Sequence, residues 1–482
     1  MDSVLSDELL QEIFTRVSKS PSSSSSSLSI CLVSKRWLRL YRTSKISLSL
    51  RLTLGNSTIP SLSSLLSQYP FLSSLHLLIS SDPTITPTST TMNFNDSLLF
   101  VVSCYCSKLK HLRYLGGPAS VPSLRSLSNS CSLLTSLAIS VSRPLFFNWV
   151  VSFSCLKELS IYLCDSSCVE DDFYCKGESG LLLTEELDAE LGLQSLSLSG
   201  IRRDDFGVGW LWRSCKKLNK LRLKRCEGIG DGRSLLSFIR CLQGLEEVEL
   251  RTCRGIVDGI LLKLAENCHS LNSLLVYDGG SREGLLQFIS NSRCNLQTLD
   301  LRLPLDLENV HLSAVSVHFR GLSTLRLQSC CLVTGDGLKA IGIAVSSGLE
   351  ELALVNCDVV ERESGLLATL GQNLKQLKKL DLSYNDFLLD KELTSMLVSF
   401  TYLTELKLRG CKSLTNATLL SVSKSCKRLE SVDVMHCCGI GAEAVEMLVL
   451  SLPRLRCLQV ECNKLSEVAR TWASYRLIEV VA

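Results

Sequence analysis

The chain has 482 residues, of which 45% are hydrophobic but only 6% aromatic, and its formal net charge is +3 at pH 7. Leucine rather than rings must therefore fill the core, and the charge balance gives no reason to expect nucleic-acid or membrane binding. Asp2, Asp7, Glu8 and Glu12 interrupt any apolar run at the start, and no stretch is apolar for long enough to span a bilayer, so an intracellular place, nucleus or cytoplasm, is expected.

Residues 5–17 predict a short amphipathic helix. Leu9, Leu10, Ile13, Phe14 and Val17 share one stripe, Ser6 suits the N-cap, Asp7 and Glu8 suit the positive end of the dipole, and Leu5 can staple onto Leu10. The serine run Ser22–Ser27 after Pro21 reads as a flexible loop. A second helix is expected from about Leu28 to Tyr41, with Leu28, Leu32, Val33, Trp37 and Leu40 as its apolar members. Two helices this short bury too little to stand alone, so they must pack on the rest of the chain or on another protein.

The remainder is built on a repeated phrase, L-x-x-L-x-L-x-x-C, clearest at Leu218–Cys226 and Leu403–Cys411. Its starts at Leu193, Leu218, Leu245, Leu271, Leu296, Leu322, Leu349, Leu377, Leu403, Leu429 and Leu455 are separated by 25–28 residues. Weaker starts lie at Leu72, Leu109, Leu134 and Leu156, with the stretches Asp82–Thr91 and Glu170–Gly180 reading as loops inserted between repeats. Each phrase supplies a short strand, a turn and a returning amphipathic helix, which is the pattern of a cysteine-containing leucine-rich repeat of about 26 residues. Stacked repeats place parallel strands on the concave side and helices on the convex side.

Cysteine usage follows the same register. Cys164, Cys226, Cys253, Cys330, Cys357, Cys411 and Cys437 close phrases, while Cys106, Cys131, Cys215, Cys268 and Cys426 precede phrases by three residues. They read as reduced, buried small hydrophobes. Cys164, Cys168 and Cys175 have loosely metal-like spacing but no completing ligand, so no metal is expected.

Because the phrase leucines point inward, its third, fifth and seventh positions face the concave side. Most charges there, such as Glu351, Lys379 and Glu405 in succession, are expected to pair across neighbouring strands. Two places break this ladder. Lys220, Arg222 and Lys224, within the basic run Arg213–Arg225, suit an acidic or phosphorylated segment, with Glu247 and Glu249 competing for two of them. Leu275 and Tyr277, with Ala353 and Val355 three repeats on, form an apolar interruption ringed by charge, as protein-binding hot spots do. Trp210 and Trp212 read as packing residues. The six histidines share no spacing, and neither a nucleophile–base constellation nor a phosphate loop is present, so no catalytic residues are expected.

Leu5, Asp7-Glu8-Leu9-Leu10, Ile13-Phe14 and the later Leu32-Val33-Ser34-Lys35-Arg36-Trp37 resemble the F-box. Ser6 stands where that family usually has proline, Ser34 replaces a frequent cysteine, and the serine loop lengthens the connection. With its repeats, the whole chain resembles plant F-box/leucine-rich-repeat proteins. The resemblance implies an α/β architecture in which an N-terminal short helical F-box (1–45) precedes a right-handed leucine-rich-repeat solenoid. That solenoid would hold about 15 repeats over 46–463, irregular over 46–192 and regular over 193–463, before a C-terminal cap or tail at 464–482. It also implies a non-catalytic substrate-recognition subunit of an SCF-type E3 ubiquitin ligase. The F-box would bind a Skp1-like adaptor, and through it a cullin-RING ligase, using Leu5, Leu9, Leu10, Ile13, Phe14, Leu32, Val33 and Trp37. The concave face would hold a protein substrate. Two other readings stand beside this one: an interaction scaffold with no ligase role, and a small-molecule receptor of the auxin- and jasmonate-receptor type. The latter would hold an inositol phosphate; otherwise no cofactor is expected.

Overall fold

The computed structural model describes residues 5–19, 30, 32–53, 55, 57–80, 89–164, 189–232, 234–303 and 307–481. They fall into two compact units, residues 1–241 and 242–482. The first opens with helices Asp7–Lys19 and Lys35–Ser44. Seven strands follow: β1 (Ser47–Thr53), β2 (Ser74–Ser80), β3 (His111–Pro118), β4 (Ser136–Ser142), β5 (Glu158–Cys164), β6 (Ser195–Ser199) and β7 (Lys220–Lys224). Each lies parallel to its predecessor. The second unit holds ten: β8 (Glu247–Arg251), β9 (Ser273–Tyr277), β10 (Thr298–Arg302), β11 (Thr324–Gln328), β12 (Glu351–Val355), β13 (Lys379–Asp381), β14 (Glu405–Lys407), β15 (Ser431–Asp433), β16 (Cys457–Gln459) and β17 (Glu479–Val481). These too are parallel throughout, paired in chain order. Helices return the chain between most strands, as parallel pairing requires. The architecture is the α/β leucine-rich-repeat solenoid that the phrase predicts.

The phrase explains the core. Every phrase leucine from Leu72 to Leu455 that opens a repeat is at most 3% exposed. Within β7, Leu221 and Leu223 are buried while Lys220 and Arg222 are half-buried on the other face, the period-two alternation of a strand. The closing cysteines tie each repeat to the one before it. Cys357 donates to the Leu327 carbonyl (3.5 Å), Cys411 to Leu382 (3.1 Å) and Cys437 to Leu408 (2.9 Å). Asn385 takes the same place with its amide, donating to Leu354 and Leu382 and accepting from the Cys357 amide. Burial pushes the thiols of Cys106, Cys241, Cys411 and Cys426 up to about 12, so they stay protonated and inert. Cys164 departs from the expectation of burial and is half-exposed at the end of β5.

Two devices of the repeat are not visible in the leucine pattern. The eighth phrase position adopts the left-handed conformation in repeat after repeat: Arg225, Thr252, Asp278, Leu303, Ser329, Asn356, Tyr384 and His436 have φ between 50° and 63°. The turn aims the backbone N–H at the next strand's end, as from Thr252 to the Tyr277 carbonyl (2.8 Å) and from Leu303 to Gln328 (2.9 Å). Second, several helix starts are capped by the preceding repeat. The N-cap amides of Ser281, Thr334, Thr415 and Gly441 donate to Asp258, Asn309, Asp390 and Asn416, at 2.8, 2.9, 3.0 and 2.7 Å. Each acceptor sits in the first turn of the helix one repeat earlier, so one side chain serves its neighbour's unpaired donors.

Some boundaries differ from expectation. The second head helix begins at Lys35, not near Leu28: Ser34 is its N-cap, its Oγ accepting from the Trp37 amide at 3.2 Å, and Leu32 and Val33 lie in the turn before it. Leu28 and the serine run fall outside the described residues, as do the Glu170–Gly180 stretch, Cys168 and Cys175. The stretch given as a loop to Thr91 already includes the start of helix Ser89–Tyr105. No described helix is long and apolar enough to cross a membrane.

Candidate interaction surfaces

The head divides its apolar residues into two sets. Leu10, Phe14, Leu40 and Tyr41 form a buried cluster, with Leu5, Ile30 and Trp37 packed against it. Phe14 makes edge-on ring contacts with Trp37 (5.5 Å) and Tyr41 (5.9 Å). Arg36 locks the two helices together: its Nε and Nη2 reach Asp7 Oδ1 at 2.8 and 2.5 Å, and Nη2 also donates to the Leu5 carbonyl. Leu9, Ile13, Leu32 and Val33 are left facing solvent, 55%, 42%, 85% and 57% exposed. Of the eight residues assigned to an adaptor contact, Leu10 and Phe14 therefore hold the head together and offer no surface. Leu5 and Trp37 buttress that core. Sequence could not make this division because on the first helix both sets sit on one broad apolar stripe, and Leu32 and Val33 read as members of the second helix rather than of the turn before it. Val17, the last member of the stripe, has a side chain outside the described residues.

On the sheet face of the first unit, β7 presents Lys220 and Arg222 half-buried and Lys224 exposed. Trp210 and Trp212 are buried as packing residues; Trp212 donates to the Ile229 carbonyl (2.9 Å) and meets Phe238 edge-on. In the neighbouring strands the face carries hydroxyls and cations. Register places Ser49, His76 and Arg113 side by side, continuing into Ala138, Ser160 and Ser197. The adjacent row runs Ser47, Ser74, His111, Ser136, Glu158 and Ser195.

The second unit's face is different, being charged and internally paired. Some pairs cross strands, as expected: Lys379 with Glu351 (3.4 Å), Arg326 with Glu351 (3.4 Å), and Arg409 with Asp433 (2.9 Å). Others run along a single strand between alternate residues, namely Arg251 with Glu249 (3.1 Å), Arg302 with Asp300 (2.7 Å) and Lys407 with Glu405 (2.6 Å). The expected Glu405 partner, Lys379, is thus replaced by its own strand's Lys407. Leu275 and Tyr277 are half-buried on this face. Ala353 and Val355 are a correction: at 0% and 6% exposure they present no contact area. For Ala353 the cause is the side chain of Arg326, which lies over it to reach Asp381 on the far strand at 3.3 Å. Among the described residues no cluster of three or more histidine, cysteine, aspartate or glutamate side chains is arranged to hold a metal.

No family model matches the sequence. Among solved structures, the chain is similar to one described as the crystal structure of the Rad7 and Elc1 complex in yeast, at 14% identity, with a TM-score of 0.50, covering 91% of this chain and 90% of that one. At that identity the likeness establishes the repeat fold.

Proposed function

We propose that the chain is a non-catalytic substrate-recognition subunit of an SCF-type ubiquitin ligase, docking a Skp1-like adaptor through its head and a target protein on the sheet face of its repeats. The observation that carries this is the head's exposed apolar set, Leu9 and Ile13 on the first helix and Leu32 and Val33 in the turn leading into the second, two helices that the Arg36–Asp7 clasp fixes in place. Four large apolar side chains on so small an element form the kind of patch that a partner covers. The resemblance of the same residues to the F-box names the partner. A solved structure that shares this fold is itself a complex, Rad7 with Elc1, and a two-protein assembly is what the head is proposed to form here. The receptor's contribution would be proximity, raising the effective concentration of target lysines near a ubiquitin-conjugating enzyme.

The test is capture of a Skp1-type adaptor by the intact chain and by the Leu9→Asp/Ile13→Asp variant. Capture by the first and at least tenfold loss in the second is expected. No capture by the intact chain, where a known F-box captures, would sink the reading. Leu10→Asp is uninformative here, because a charge at a 1% exposed site unfolds the head before it can report on a surface.

A further inference from the structure

The two sheet faces treat charge in opposite ways. On the second unit, arginines and lysines lie beside carboxylates. On the first, Arg51, His76, His111 and Arg113 stand exposed on β1–β3, and none has an ion pair to a described residue. His76 and Arg113 are register neighbours, and His111 lies one pleat away on the same strand as Arg113. Burial, then the charges of Arg113 and His111, hold the His76 imidazole below its usual value, so the three side chains share one positive field. In the two rows that hold His111 and Arg113, the one carboxylate from β1 to β6 is Glu158, two strands from His111. The positions between and beyond are mostly serine.

We propose that this face binds a phosphorylated serine or threonine within an extended segment of a partner protein, the phosphate on Arg113, His76 and His111 and the flanking chain along the serines of β4–β6. The inference deepens the proposed function, since it rests on the repeats holding a protein target. A phosphate brings about two negative charges and three acceptors to one point, which suits cations converging from adjacent strands about 4.8 Å apart. Arg113 supplies a planar fork, and serine hydroxyls supply neutral donors. A small polyphosphate would need cations all round it, whereas here they occupy three strands and hydroxyls the next three. An extended chain crossing the strands fits that asymmetry. Ser49 on β1 and Arg113 on β3 stand in register with His76, with Arg51 and His111 one pleat away, all cationic or neutral, so an arriving dianion favours protonation of His76. Binding should then strengthen as pH falls from about 8 to about 7, above the range in which the phosphate itself takes up its second proton near pH 6.

Fluorescence anisotropy on the intact chain tests this with three probes: a degenerate decapeptide pool with one central phosphoserine, the same pool with serine, and a uridine decanucleotide. The phosphorylated pool should bind at least tenfold tighter than either of the others. Arg113→Ala and His76→Ala should each weaken it by about tenfold with an unchanged circular dichroism spectrum, and Lys379→Ala should leave it alone. Equal binding of the two peptide pools, an Arg113→Ala variant that binds normally, or tighter binding of the oligonucleotide would each overturn the proposal. So would tighter, Arg113-dependent binding of inositol hexakisphosphate as a competitor. Adaptor capture on the same preparation separates the two ideas. A chain that captures adaptor but not phosphopeptide sinks this inference alone, and the reverse result sinks the ligase reading and leaves the peptide site.

Discussion

Arg326 spans the full width of strand β12 to reach Asp381, Nη1 to Oδ2 3.3 Å, and roofs Ala353 as it does so. It also lies 3.4 Å from Glu351 and 3.7 Å from Asp300. One guanidinium therefore answers three largely covered carboxylates, which is why the small residue beneath it exists. A larger side chain at 353 would lift the bridge. Removing the arginine leaves those carboxylates without their shared cation, so Arg326→Met is expected to cost about 3 kcal/mol in denaturant unfolding. A double-mutant cycle with Asp381→Asn should show coupling, and strict additivity would refute the bridge.

The head makes a sharper forecast because its two sets of apolar residues should respond in opposite ways. Phe14→Ala removes a ring with no exposed surface and should destabilise the head by about 3–5 kcal/mol. Hydrogen exchange on residues 7–19 would show this. Leu9→Ala should change stability by no more than about 0.5 kcal/mol while weakening adaptor capture. If both variants lose protection equally, the division between core and contact is wrong.

Asp390 offers a pH signature. Burial alone would raise its carboxyl, but the combined hydrogen bonds from Thr418 and Thr415 outweigh that and hold it below its usual value. A depressed folded-state value means stabilisation that is present above the unfolded value of about 3.9 and is lost as pH falls through the folded one. Asp390→Ala should therefore cost about 1 kcal/mol at pH 7. The gap to the native chain should close on acidification below about pH 4, and a gap constant down to pH 2 would rule the cap out.

Backbone conformation gives two predictions that run against simple propensity. Thr252 is β-branched, exposed and left-handed at φ 56°, a combination that costs about 1–2 kcal/mol. Thr252→Asn keeps its backbone bond to Tyr277 and should raise the thermal midpoint. Gly371→Ala should do the reverse, although alanine is the better helix former. A Cβ there would lie 2.8 Å from the Met396 carbonyl oxygen and 3.1 Å from its Cα, backbone that has nowhere to go, so a loss of about 1–3 kcal/mol is expected.

The repeat was legible because leucine periodicity reports burial directly, and every phrase start proved to be core. What the pattern did not carry were contacts set by geometry between repeats. The left-handed eighth position is filled by Arg, Thr, Asp, Leu, Ser, Asn, Tyr and His as well as by Gly200 and Gly410, so no single residue type announces it. The aspartates near the helix starts were visible, yet Asp258 caps the following repeat's helix rather than its own. Sheet-face charges were also visible, but whether Glu405 turns to Lys379 or Lys407 depends on side-chain reach, which spacing does not encode. In the head, Ser34 three residues before Trp37 was the available sign that the second helix starts late. The basic run of β7 is contiguous and so stands out in sequence, whereas His76 and His111 lie 35 residues apart in the chain and come together with Arg113 only through strand register.

The forward caps give the repeat array a direction. Ser281, Thr334, Thr415 and Gly441 each depend on a side chain from upstream. Trimming the chain from its C-terminal side leaves these four amides capped, while Gly335 and Gly365 lean the other way, on Glu363 and Glu392 downstream; a cut just before Thr334 or Thr415 leaves the next helix's N-cap amide open. A repeat transplanted into another solenoid must bring with it the first helical turn of the repeat before it.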